Sequence, residues 1–290
     1  MPVGVVDVGS NTVRLLVEVD GRPVLSEREL LRLGDDVERQ GRISADKLEL
    51  AARVVAGYAK DARAAGVLEL ETLITSPGRQ AANGDELLRR LEAAANCPAR
   101  ILSAVEEGRL AFVGAVAMAA PPARRRVAVV DVGGGSAQMV VGTRRDGAAW
   151  SRSIDLGSQR LTSRVLDADP PRTRDVAAAR AEVEKLTSEL ELPQPRTAFA
   201  VGGSARALKR IVGARLGADE LAEALEILAT TKAATVARRY DIDPGPTRTR
   251  VAGAVILSAL QQRLDTPLKV VRGGLRDGAI AELEARRLAA

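Results

Sequence analysis

Apolar residues fall along this chain in two rhythms. GVVDVGSNTVRLLVE (residues 4–18) reads as two apolar strands interrupted by Gly9-Ser10-Asn11. Val13, Leu15, Val17 and Val19 alternate there with Arg14, Leu16 and Glu18, as on a half-buried strand. AVVDVGGGSAQMVVG (residues 128–142) repeats the layout, with Asp131 following Asp7 by 124 positions. Turns this short predict two antiparallel hairpins, each delivering an aspartate to a small-residue turn.

Between and after the hairpins the period changes to that of helices. Residues 44–65 predict a helix with Leu48, Ala52, Val55, Ala59 and Ala62 on one face, Ser44 as its cap and Gly66 as its stop. A buried strand follows at 70–75, then the loop Ser76-Pro77-Gly78-Arg79, a helix at 85–95, a strand at 100–103 and a helix at 105–119. Pro121-Pro122 marks a hinge. The second half predicts strands at 127–132, 137–142 and 149–155, then helices at 158–166 and 174–190. A strand at 199–201 runs into Gly202-Gly203-Ser204 and a helix at 205–213; several helices fill 219–264, before a strand at 268–271 and a last helix at 275–288. The pattern gives an α/β fold of two lobes, each opened by a hairpin.

Composition narrows the chemistry more than the fold. The 290 residues suit about two domains, and 46% hydrophobic residues supply a core built from Ala, Val and Leu because aromatics are only 2%. There is no histidine and one cysteine, Cys97. A Ser-His-Asp triad, a Cys-His nucleophile, a phosphohistidine and a His- or Cys-ligated zinc site are therefore excluded. Any metal must be a hard cation held by oxygen, such as Mg²⁺. A lone cysteine makes no internal disulfide and predicts a reducing cytoplasm. The net charge of +5 is compatible with an anionic partner. Arg124-Arg125-Arg126, the longest basic run, reads as a solvated loop, and without interleaved aromatics no nucleic-acid platform is expected. The N-terminal apolar run contains Asp7 and has no basic leader, and Leu110–Pro122 is too short to span a bilayer, which predicts a protein without membrane contact.

The repeated turns are where chemistry is expected. Glycine allows backbone N–H groups to converge on an anion, which suits Gly9-Ser10-Asn11 and Gly133-Gly134-Gly135-Ser136. Ser10, Asn11 and Ser136 add side-chain donors. Asp7 and Asp131 would repel a bare phosphate and make sense if a divalent cation sits between them and phosphate oxygens. The alternative, two tight hairpins with solvated aspartates, does not account for an aspartate at the same offset twice.

DVGSNTVR and DVGGGSAQ resemble the two phosphate motifs of the exopolyphosphatase/guanosine pentaphosphate phosphatase (Ppx/GppA) family. The resemblance continues through TSPGRQAANGDELL (75–88), SAVEEGRLAFVGA (103–115), DLGSQRLT (155–162), AVGGSARAL (200–208) and GLRDGA (274–279), in order over nearly the whole chain. It implies the duplicated actin-like ATPase (ribonuclease H-like) fold, two lobes with an interdomain cleft. Lobe I would take residues 1–118, with the C-terminal helix 276–290 packing back on it, and lobe II residues 119–275. Longer members carry a further C-terminal helical domain of the His-Asp metal-phosphohydrolase type, and this chain looks like the short, two-lobed form.

The implied reaction is Mg²⁺- or Mn²⁺-dependent hydrolysis of a terminal phosphoanhydride, by water, on inorganic polyphosphate. Glu107 matches the family's catalytic glutamate and would lie in the first turn of its helix, where the helix dipole favours its ionised form. Arg79 matches a phosphate-gripping arginine, with Asn83 shaping its loop. Arg14, at +7 from Asp7, contacts substrate, neutralises Asp7 or makes a structural ion pair. Gln138, at +7 from Asp131, stands where the family usually has glutamate. Glutamine accepts a hydrogen bond but is neither base nor charged ligand, so Glu107 acts alone, the metal is held more weakly, or catalysis is impaired. Gly202, Gly203 and Ser204 would line the channel for the polyphosphate tail or serve packing. Gly273-Gly274 with Arg276 and Asp277 reads as structural. A homodimer is expected from the family. Open alternatives are hydrolysis of the 5′ γ-phosphate of guanosine pentaphosphate (pppGpp), a catalytically weak polyphosphate- or alarmone-binding protein, and an actin-like sugar or acetate kinase.

Overall fold

The computed structural model describes residues 2–243 and 249–289. Residues 244–248, inside the stretch expected to be helical, and the chain ends Met1 and Ala290 lie outside the described residues. Among the described residues no helix is long and apolar enough to cross a membrane.

The first half runs β1 (Val3–Val8), β2 (Thr12–Val19), β3 (Arg22–Leu30), α1 (Leu33–Gln40), α2 (Ala45–Ala64), β4 (Glu69–Ile74), α3 (Ser76–Gln80), α4 (Gly84–Ala95), β5 (Ala99–Ile101) and α5 (Ala104–Ala119). The second runs β6 (Val127–Val132), β7 (Ala137–Thr143), β8 (Gly147–Ile154), α6 (Ser158–Val165), α7 (Thr173–Thr187), β9 (Thr197–Val201), α8 (Gly202–Val212) and β10 (Arg215–Leu216). It continues through α9 (Ala218–Thr230), α10 (Ala233–Arg239), α11 (Arg250–Leu264), β11 (Leu268–Val270) and α12 (Leu275–Ala289). Two mixed sheets result, ordered β3-β2-β1-β4-β5 and β10-β11-β9-β6-β7-β8. The two-lobed α/β duplication expected from the repeated hairpins is the architecture observed.

Each sheet buries both faces. On the first, Val6, Val8, Val13, Leu15 and Val17 face the core shared with Leu48 and Val55 of α2 and Leu87 and Leu91 of α4. Its other face, Val3, Val5, Leu16 and Leu73, meets Leu110 of α5 and Leu275, Ile280 and Leu283 of α12. On the second sheet Val130, Val132, Met139 and Val141 point to α7, α8, α9 and α11, and Val129, Val140, Phe199 and Val201 meet Phe112, Ala115 and Val116 of α5. Leu16 is thus buried although it breaks the alternation of β2, because a sheet covered on both faces is apolar on both.

Several local expectations change. β3 escaped the hydrophobic pattern because most of its residues are solvent-facing, Val24 included. α1 was also not expected. Ser76–Gln80 is a short helix rather than a loop, and the second-half helix begins at Gly202 itself, so Gly202-Gly203-Ser204 is its first turn. Ser44 does not cap α2 through its side chain. Its hydroxyl donates to Asp36 Oδ2 at 2.6 Å instead, and its backbone N–H to the same oxygen at 3.0 Å.

Candidate active-site cleft

Asp7 and Asp131 are the next-to-last residues of β1 and β6, strands that run parallel to β4 and β9 respectively. Both therefore arrive at the C-terminal edge of a sheet, where open α/β sheets bind ligands. Antiparallel pairing sets Asp7 directly opposite Arg14 and Asp131 directly opposite Gln138, so each pair shares one face of its sheet. The two edges flank a partly open cleft with a volume of about 160 Å³, lined from both lobes and including Asp7, Asp131, Glu107, Ser10, Asn11 and Arg14.

The repeated turns meet across it. A Cβ on Gly134 would lie 3.3 Å from the Asn11 Cβ, and one on Gly135 would lie 2.4 Å from Ser10 Oγ and 2.6 Å from Ser76 Oγ, so only glycine permits the approach. Ser10 Oγ and Ser76 Oγ are hydrogen-bonded at 2.7 Å. The Gly9 and Gly133 N–H groups close their own turns onto the Thr12 and Ser136 carbonyls, each at 3.0 Å. These two glycines shape the loops and do not aim their amides at a ligand. Gly9, Gly133, Gly134 and Ser136 line the cavity and Gly135 lies behind it.

Glu107 enters from α5. Ser103 and Glu106 form a capping box at that helix start, with Glu106 N–H donating to Ser103 Oγ at 3.2 Å and Ser103 N–H to Glu106 Oε2 at 2.9 Å. The box consumes Glu106 and leaves Glu107, one residue further round the helix, turned into the cleft and only 7% exposed. Arg79 Nη2 lies 2.7 Å from Glu107 Oε2. The oxygen nevertheless has no aligned hydrogen-bond donor; the contact is an ion pair by distance alone. Burial pushes the Glu107 carboxyl up to about 7, against the pull of Arg79, and the charges of Asp131 and Asp7 add to the rise. Asp131 is pushed up to about 6, first by burial and then by Asp7, against Arg206 and Arg14; Asp7 is raised by burial against Arg276 and Arg14.

Two expected substrate-binding side chains also make contacts within the protein. Arg79 does not line the cavity; it donates to the Leu102 carbonyl at 2.8 Å and, weakly, to Ser136 Oγ at 3.5 Å, while pairing with Glu107. α3 places its guanidinium against Glu107 and Ser136, two residues that line the cavity. Gln138 is also behind the cavity, 2% exposed, donating to Ser136 Oγ at 2.8 Å and Ser153 Oγ at 3.4 Å. Asn83 closes on the backbone of Ile43 with two hydrogen bonds of 2.9 Å, tying the segment before α2 rather than the residues around Arg79.

Gly202, Gly203 and Ser204 do line the cavity. Gly202 has φ +86, and a Cβ there would sit 2.4 Å from Asp131 Oδ1; glycine is required by conformation and by contact.

The sequence reading missed the cations of this cleft. Arg206, Arg250 and Arg276 line it together with Arg14. Arg206 sits two residues beyond Ser204, inside the quoted AVGGSARAL motif, and Arg276 belongs to a segment read as structural. Arg250 had no signal, opening α11 just beyond the undescribed stretch. Burial lowers the Arg14 guanidinium to about 9, with Arg276 and Arg206 repelling it further, and lowers Arg250 to about 10. Arg206 is lowered by burial and by Arg276. Arg250 is buried with its Nε unpartnered. Guanidiniums that repel one another in a desolvated space are chemically suited to a multiply charged anion.

A model of the Ppx/GppA phosphatase family matches residues 16–287. The chain is 30% identical over 303 residues to exopolyphosphatase 1 of Mycobacterium tuberculosis, covering 97% of this chain and 87% of that protein. Exopolyphosphatase 1 of Mycobacterium leprae is 33% identical over 225 residues; the match takes in 74% of this chain and 66% of the relative, just under two thirds of its length. Among solved structures, the Aquifex aeolicus member of the Ppx/GppA family superposes with a TM-score of 0.82 at 24% identity, covering 99% of this chain and 98% of the other. These structures share the fold.

Proposed function

The chain belongs to the Ppx/GppA phosphatase family, and on that premise we propose that it is an exopolyphosphatase, hydrolysing the terminal phosphoanhydride of inorganic polyphosphate with release of orthophosphate. The observation that carries this reading is Glu107: a buried carboxylate raised to about 7, with an oxygen lacking any aligned donor, facing two glycine-rich turns and four arginines. A base of that pKa is half ionised near neutral pH, where general-base catalysis is most effective.

In the proposed reaction the terminal phosphoryl group enters the cavity alongside the abutting turns at Ser10-Asn11 and Gly134-Ser136. Glu107 accepts a proton from water as the water oxygen bonds to phosphorus. The bridging P–O bond breaks and its electron pair leaves with the shortened chain. Arg14, Arg206, Arg250 and Arg276 hold the phosphate oxygens, a task of positioning and charge neutralisation rather than covalent chemistry. Arg79 keeps the Glu107 carboxylate oriented. Among the described residues no group of three or more acidic, His or Cys side chains stands close enough to cage a metal. Two aspartates on opposite sides of a phosphate site fit Mg²⁺ or Mn²⁺ all the same, since Mg²⁺ is commonly bound through one or two carboxylates with substrate oxygens and water. Asp7 and Asp131 would hold the ion, which supplies charge neutralisation at the phosphate.

Polyphosphate is favoured over a guanosine nucleotide because, among the described residues, the cavity lining is charged, glycine or hydroxyl apart from Asn11, Val132 and Leu275. It offers no aromatic face for a purine. Phosphate release from tripolyphosphate, long-chain polyphosphate, pppGpp and ATP, each with Mg²⁺ and with chelator, tests the proposal. Turnover of polyphosphate is expected, and tight binding of it without turnover, unchanged in Glu107→Gln, would reassign the protein as a binder. Phosphate transfer from ATP to a sugar or acetate in place of water would make it a kinase.

A further inference from the structure

The second sheet has a basic end as well as a catalytic one. Arg124, Arg125 and Arg126 lead into β6, and Arg196 precedes β9, its parallel neighbour, so Arg196 N–H donates to the Arg126 carbonyl at 2.9 Å. The β7–β8 turn brings Arg144 and Arg145 to the same place, Arg145 N–H donating to the Ala123 carbonyl at 2.9 Å. All six arginines are exposed, and Arg124, Arg125, Arg126 and Arg196 line a concave surface with Thr143 and Gln194.

These side chains lack the partners that arginines elsewhere on this surface have. Arg160 and Arg164 share Glu38, Arg90 pairs with Glu86 and Arg53 with Glu49. Among the described residues the one carboxylate paired with the six is Asp146, 3.9 Å from Arg145 and itself accepting a hydrogen bond from Thr143 Oγ1 at 2.8 Å. Such a concentration of unneutralised guanidiniums repels itself and is relieved by a polyanion. No aromatic side chain lines the concavity, so the stacking platform that single-stranded nucleic acid uses is missing. A linear chain of phosphates needs only the charge.

Resting on the exopolyphosphatase reading, we propose that this face is a second, non-catalytic docking site for the distal part of the polymer whose end occupies the cleft. From Arg126 to Asp131 the strand covers about 17 Å, at about 3.3 Å per residue. Only a chain long enough to run the length of the second lobe engages both sites. For such chains the second contact is intramolecular, which raises apparent affinity without any change at the reacting phosphate.

The test is steady-state phosphate release by the wild type and by the triple variant R124A/R125A/R126A, on tripolyphosphate and on long-chain polyphosphate. In the variant the KM for long chains should rise about tenfold or more, the scale of a lost second contact. Its salt dependence should become shallower, and kcat and KM on tripolyphosphate should stay unchanged. R196A alone should give a smaller rise of the same kind. An equal long-chain KM in wild type and triple variant overturns the proposal, as does an equal loss on both substrates. Single-stranded RNA binding as tightly as polyphosphate of the same charge, and lost in the triple variant, would overturn the assignment to a phosphate polymer. If the wild type releases no phosphate from any chain, the exopolyphosphatase reading fails, and equilibrium binding of long-chain polyphosphate decides the docking site separately. Binding lost in the triple variant supports it, and binding unchanged overturns it.

Discussion

The β1–β2 and β6–β7 hairpins share a register and differ in what stands beside the aspartate. In the first lobe the residue opposite Asp7 is Arg14, which lines the cavity. In the second, the residue opposite Asp131 is Gln138, sealed behind it against Ser136 and Ser153. The cause is the helix laid over each sheet. α5 packs on the second sheet with Gly108 against β7, where a Cβ would come within 2.9 Å of Val140 and 3.6 Å of Gln138. That closes the space above Gln138 and delivers Glu107 beside it. Over the first sheet lies α12, whose Arg276 donates to the Leu15 carbonyl at 3.4 Å and adds a cation next to Arg14. One duplicated backbone thus gives a cationic side and a side that carries the base. Gln138 donates to Ser136 Oγ at 2.8 Å, and Ser136 lines the cavity.

The largest break in this asymmetry should come from Glu107. Glu107→Gln keeps the shape and the distance to Arg79 but removes the proton acceptor, and should lower kcat by about 100- to 10,000-fold with polyphosphate binding retained. Wild-type kcat in that variant would remove Glu107 from the mechanism.

Next comes the pair at +7. Arg14→Ala should raise KM by about tenfold or more, the scale of a lost charge-assisted contact, whereas Gln138→Ala should leave KM within about twofold. Kinetic titration with tripolyphosphate separates them, and equal effects would mean that the register similarity, not the covering helix, decides function.

The two lobes also differ in how tightly glycine is required. Gly202→Ala meets Asp131 Oδ1 at 2.4 Å with φ +86, while a Cβ on Gly9 has 3.3 Å to the Thr12 carbonyl oxygen as its nearest contact. Thermal denaturation should show Gly202→Ala destabilised by about 1–3 kcal/mol and Gly9→Ala clearly less. A reversed order would refute the placement of Gly202 against Asp131.

How much of this was legible in the sequence follows from the kind of signal each part leaves. The hairpins announce themselves because an apolar strand ending in aspartate and glycine is unusual and occurs twice. β3 does not, since Arg22–Leu30 is largely exposed and has no apolar stripe to detect. The arginines of the cleft are hidden by abundance: with 43 Lys and Arg in the chain, nothing local distinguishes Arg206 or Arg250 from a solvated residue, and only tertiary packing buries them. The Arg79 contact with Glu107 was not legible, since it depends on a helix of five residues, Ser76–Gln80, that Pro77 and Gly78 made look like a loop.

The last effect expected is on the pH dependence of stability, and its sign follows from burial of the base. The Glu107 carboxyl titrates near 4.5 in the unfolded chain and at about 7 in the folded one. Between those values the folded protein holds a proton that the unfolded chain has released, so stability falls as pH rises through the window. Its contribution is fully present below about pH 4.5 and lost above about pH 7. Asp131, raised from 3.8 to about 6, acts in the same direction. In chelator-containing buffer the wild type should therefore lose a few degrees of Tm between mildly acidic and neutral pH, beyond any change in Glu107→Gln. No equivalent term arises at Gln138, which does not titrate, so Gln138→Ala should keep the wild-type slope. If Glu107→Gln and wild type show parallel Tm profiles, the carboxylate is better solvated than its 7% exposure implies, and the cleft is open to water at the point where the reaction requires a desolvated base.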